Sequence, residues 1–131
     1  MPKQIITPEG LPKTMGPYSQ VVVGLGAKVI FIAGQVPQDA SGKTVGPGDI
    51  GVQTRQVLAN LKTAVEAAGG AIHDICKITI FLTALNETIF KEVAQARREF
   101  FGNEFPASTL VQVQRLASPD WLIEIEAYAS V

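Results

Sequence analysis

A chain of 131 residues, 47% hydrophobic and 18% charged, fits one globular domain, 1–131, whose single core needs neither metal nor disulfide. A net charge of −1 provides no clustered cations for phosphate, so nucleic acid is not an expected partner. One cysteine excludes an internal disulfide, and no run of about 18 apolar residues spans a membrane.

Met1-Pro2-Lys3-Gln4 lacks the apolar stretch of a secretory signal, so the cytoplasm is the expected compartment. A mean hydropathy of +0.22 points to apolar surface covered by further subunits. Lys3 to Ile6 is long enough for one short strand. Gln20 to Leu25 and Val29 to Ala33 are β-rich runs joined through Gly24-Leu25-Gly26-Ala27, the pattern of a hairpin. Pro37, Gly42, Gly46, Pro47 and Gly48 break every period from Gly34 to Gly48, which predicts a loop.

Asp49 has the chemistry of an N-cap for a helix whose stripe is Val57, Leu61, Ala64, Val65 and Ala68, stopped by Gly69-Gly70. Ile75 to Leu82 alternates as a strand. Cys76, Ile78, Ile80 and Leu82 are expected in the core, and Lys77, Thr79 and Phe81 on the other side. Asn86 caps a second helix with the stripe Ile89, Val93, Ala96 and Phe100, leaving Arg97 and Arg98 to solvent. Ala107 to Arg115 and Leu122 to Val131 are the closing strands. The order predicts an α+β fold with a five- or six-stranded mixed sheet and both helices packed on one face. The last strand sends Ile123, Ile125, Ala127 and Ala129 toward the helices. Glu124, Glu126 and Tyr128 occupy the opposite face, too polar for dry core and too apolar for an ordinary wet surface. Self-association through that face resolves the conflict.

Several residues carry candidate chemistry. Gly16-Pro17-Tyr18-Ser19-Gln20 reads as a turn whose tyrosine can present its hydroxyl to a pocket. Gly34, within Ala33-Gly34-Gln35-Val36-Pro37, marks a bend or a close approach. Neither this segment nor Gly24-Leu25-Gly26 has the spacing of a phosphate or dinucleotide loop. Glu124 and Glu126 stand roughly 7 Å apart by strand rise. That separation suits an acid/base pair and equally an ordinary solvated strand face. His73 is the only histidine, so no metal site is expected.

Phe105-Pro106-Ala107-Ser108-Thr109-Leu110-Val111 and Ile123-Glu124-Ile125-Glu126-Ala127, taken with the two glycine motifs above and Thr54 to Gly69, resemble the Rid (YjgF) family, small proteins that hydrolyse reactive enamines and imines. The resemblance implies a chorismate mutase-like fold, a homotrimer around a central β-barrel, and clefts between subunits that take a small-molecule ligand with no cofactor. In such a cleft an enamine such as 2-aminoacrylate loses ammonia to water. Carried over residue by residue, the resemblance makes Glu124 the proton-transfer carboxylate and places Tyr18 and Gly34 in the cleft. Ser108 and Thr109 fall on the substrate-binding strand, and Arg115 becomes a structural or interface arginine.

Three positions depart from the family pattern. Ser108 stands where catalytic members carry the arginine that pairs with substrate carboxylate, Leu110 where they carry cysteine, and Ala94 where they carry asparagine. Loss of a charge-assisted pair costs on the order of 2–4 kcal/mol of binding. Two functions therefore stand side by side: a deaminase lacking the usual carboxylate anchor, and a non-catalytic metabolite-binding or regulatory module. Endoribonuclease activity ranks below both, given one histidine and a pI near 5.8.

Overall fold

Alternation along two strands organises the molecule, seen in a computed structural model that describes residues 3–131. In β4 (Ile75–Leu82) the side chains of Ile78, Ile80 and Leu82 are buried, and in β6 (Ile123–Ser130) those of Ile123, Ile125, Ala127 and Ala129. These apolar rows pack beneath α1 (Ile50–Ala67) and α2 (Glu87–Phe101), so both helices lie on one side of the sheet as expected. The other strands are β1 (Lys3–Ile6), β2 (Val21–Gly24), β3 (Val29–Gln35) and β5 (Ala107–Gln112). A short 3-10 turn spans Ile72–Asp74.

The main sheet has four strands in the order β3-β6-β4-β5. The β4–β5 pair is parallel, which requires a crossover, and α2 supplies it. Both helices begin where the sequence places them. Asp49 Oδ1 accepts from Val52 N at 3.1 Å, and Asn86 Oδ1 accepts from Ile89 N at 2.9 Å. Buried Gln53 ties α1 to the connection before β6. Its Nε2 donates to Asp120 O at 2.8 Å and Gly46 O at 3.2 Å, while its Oε1 accepts from Leu122 N at 2.8 Å.

The expected β2–β3 hairpin does not form. β2 pairs antiparallel with β1 in a separate two-stranded ribbon, and β3 pairs with β6. Lys28 and Val131 exchange backbone hydrogen bonds of 2.8 and 3.0 Å, which extend the β3–β6 ladder and leave β2 outside it. The ribbon instead lies against the helix-free face, where a Cβ on Gly24 would stand 2.7 Å from Ser130 Cβ and 3.4 Å from Cys76 Sγ. Cys76 is half-buried against this ribbon rather than in the core, because the β4–β6 register shifts between Ile75 and Lys77. β5 ends at Gln112, so Arg115 falls in the connection that follows it. Among the described residues, no helix is long and apolar enough to cross a membrane.

Candidate functional site

The residues singled out from the sequence fall into two groups on opposite faces of the main sheet. The first is built by the turn before β2. Tyr18 N donates to Gly16 O at 2.9 Å around buried Pro17. Ser19 then pins the turn to the start of β5, its N donating to Pro106 O at 3.0 Å and its hydroxyl to Phe105 O. Ser108 is paired with Ile78, whose side chain is buried under the helices, and therefore faces the same way. Tyr18 and Ser108 thus meet in a cavity of about 390 Å³, whose other walls are Met15, Leu85, Phe90, Leu110 and Arg97.

Arg97 is the residue that sequence reasoning missed. It was expected on the solvated side of α2, yet it is 2% exposed. It lies four residues after Val93 and four before Phe101, both buried, so it occupies the inward stripe of the helix. That spacing was the available signal, and a charged residue type argued against heeding it. Its Nη1 donates to Ser108 Oγ at 3.4 Å, and its Nε has no hydrogen-bond partner. Burial, followed by the like charge of Arg98, pushes the guanidinium down to about 10, so it remains a cation at neutral pH.

The second group lies on the helix-free face. Glu124 pairs with Phe81 of β4 and Glu126 with Thr79, so both carboxylates point away from the helices. Between Ile32 and Gln35 the β3–β6 register shifts, and the backbone of Gly34 comes down on Glu124. A Cβ at that position would stand 2.8 Å from Glu124 Cδ. Asn60 of α1 fixes the chain just beyond, its Nδ2 donating to Val36 O at 3.0 Å and Gln38 O at 2.9 Å. The close approach anticipated at Gly34 is thus an approach to Glu124.

Thr109 is exposed on this same face, and its hydroxyl accepts from Lys77 Nζ at 2.7 Å. Ser108 and Thr109 therefore point in opposite directions, and one chain alone does not unite Tyr18 and Ser108 with Gly34 and Glu124. Arg115 is exposed, and its Nε donates to the adjacent Leu116 O at 3.1 Å. His73 is exposed in the 3-10 turn. Among the described residues, no group of three or more His, Cys, Asp or Glu could hold a metal ion.

The chain is thus a two-helix α+β domain with a small cavity beside β5 and a carboxylate on its helix-free sheet face. The Endoribonuclease L-PSP family matches residues 9–131, and the chain belongs to this family, also called YjgF or Rid. A RutC family protein of Pyrococcus horikoshii is 43% identical over 127 residues, 97% of each chain. The 3-aminoacrylate deaminase RutC of Acinetobacter baylyi is 37% identical over the full length of both. Among solved structures, a conserved Rid family protein of unknown function from Yersinia pestis superposes with a TM-score of 0.92 at 34% identity, covering both chains fully. Escherichia coli TdcF with bound serine has a TM-score of 0.71 at 36% identity, covering 98% of each.

Proposed function

We propose that the protein is a cytoplasmic hydrolytic deaminase of small enamines or imines, working as a homotrimer with its sites between subunits. The observation that carries this reading is the Glu124 carboxylate on the helix-free sheet face, lying close against the backbone of Gly34. A full-length relative named 3-aminoacrylate deaminase supports it. The overall reaction is enamine plus water giving carbonyl compound plus ammonia. Protonation of the enamine carbon yields an iminium; water adds to the carbon bearing nitrogen, and ammonia leaves as the carbonyl forms. Glu124, or a water it holds, moves the protons, because a positioned carboxylate can both give and receive one. Tyr18 and Ser108 bind and orient the substrate.

The two half-sites support a trimeric assembly. If three helix-free faces close into a central barrel, the Gly34–Glu124 half of one copy meets the Tyr18–Ser108 half of the next. Thr109, exposed on the barrel side, lies along that seam, and Arg115 supports the contact between copies. Incubation with freshly generated 2-aminoacrylate and 3-aminoacrylate, following ammonia release, tests the reading. Glu124→Ala is expected to lower turnover by about 100-fold or more. A variant matching wild type would end the proposal. No turnover by wild type, with a small metabolite still raising the melting temperature, would identify a binding module instead.

A further inference from the structure

A buried guanidinium is costly to desolvate, and Arg97 has found little within its own chain to offset that cost. Its acceptor is a neutral hydroxyl at 3.4 Å, the outer limit of a hydrogen bond, and its Nε bonds to nothing. Among the described residues it forms no ion pair, whereas Arg55 of α1 is matched by Glu99 at 3.1 Å and Lys91 by Glu87 at 3.0 Å. Its electrostatic neighbour of consequence is another cation, Arg98. Around it, Met15, Leu85, Phe90 and Leu110 supply apolar walls, and Tyr18 and Ser108 add two hydroxyls. A planar cation with unused donors, bordering a cavity of about 390 Å³, is complementary to a small carboxylate.

We infer that Arg97, entering the cavity from α2, is the carboxylate-binding residue of this site. The site therefore takes small anionic enamines or imines in preference to neutral ones. This inference rests on the reading of the Tyr18–Ser108 cavity as half of a deaminase site and names the substrate class that half selects. The sequence pattern of the family puts its arginine on β5; here a guanidinium reaches the same strand position from the helix that crosses over it. A second guanidinium at 108 would repel Arg97, whereas the Ser108 hydroxyl accepts from it. The serine hydroxyl then shares the work, donating to one carboxylate oxygen while Arg97 donates to the other.

Binding, measured apart from turnover, separates this inference from the deaminase reading. The probes are pyruvate and its neutral isostere pyruvamide, titrated calorimetrically into the full-length protein. Wild type is expected to bind pyruvate about tenfold tighter than pyruvamide, or better. Arg97→Met should reduce pyruvate to the affinity of pyruvamide, without lowering the melting temperature of the unliganded protein, because it removes an unpaired buried charge. Arg97→Lys keeps the charge without the fork, and should retain a preference for pyruvate at reduced affinity.

Pyruvate binding unchanged in Arg97→Met, or wild type showing no preference between the two probes, would overturn the inference. If Arg97→Met proves unstable, Arg97→Lys decides: pyruvate affinity and preference equal to wild type would also overturn it. A protein that releases no ammonia yet binds pyruvate through Arg97 would sink the deaminase reading and leave this one standing.

Discussion

A methyl group on Gly34 would stand 2.8 Å from Glu124 Cδ and overlap the carboxylate itself, so the present position of the glutamate requires glycine at 34. Gly34→Ala should displace the carboxylate, because the backbone beyond it is tied down by Asn60 and cannot retreat. A shift of about 1 Å at a reacting group costs on the order of 100-fold in rate. We expect kcat for ammonia release to fall about 10- to 100-fold, with a stability loss below about 1 kcal/mol, because the half-buried Glu124 side chain can swing aside. Urea denaturation measures the second and steady-state kinetics the first; full activity would show that Glu124 needs no such support. The sequence made this contact half legible, since a glycine after a β run marks a close approach without saying to what. Arg97 was illegible for the opposite reason. Its spacing from Val93 and Phe101 is that of a core residue, but its charge argues for solvent, and the cavity it borders exists only once the distant β5 and Tyr18 turn are brought beside α2.

At the scale of elements, the helices were readable because their signals are local. Asp49 and Asn86 each accept from the backbone three residues on, an interaction contained within one turn. The partner of β2 was not readable, because distant segments decide it. Val131 takes the backbone position beside Lys28, and Pro106 holds Ser19 at the start of β5. Those contacts span most of the chain, and a glycine-rich link cannot announce them. Cys76 was misplaced by a single register shift, which turns a side chain to the other face. Long-range attachment also makes Gln53 a joint. Its buried amide satisfies two carbonyls and one N–H across the α1 start and the β5–β6 connection. Gln53→Ala leaves those groups without partners and should cost about 2–4 kcal/mol in urea unfolding, well beyond an exposed helix position. A loss below about 1 kcal/mol would mean that water replaces the amide.

For the whole molecule, the helix-free face is where composition and architecture meet. Phe31 is 76% exposed and Val29 62%, and Tyr128 stacks edge-on against Phe31 with ring centroids 5.6 Å apart. Glu124 and Glu126 share that face, so a partner covering it must accept carboxylates beside aromatic rings. In the proposed trimer Val29 and Phe31 of β3 and Tyr128 of β6 bury one another, while Glu124 is carried toward the cavity of a neighbour. Phe31→Glu tests this without touching either half-site. One more carboxylate beside Glu124 and Glu126 adds like-charge repulsion at the seam, while a side chain this exposed contributes only about 0.5 kcal/mol to the stability of a single chain. Light scattering is expected to show a folded monomer, and ammonia release should fall to background because neither half-site works alone. A variant that stays trimeric would move the contact to another surface. A monomer that keeps turning over substrate would place Glu124 and Ser108 in separate sites, and the shared cleft would be lost with it.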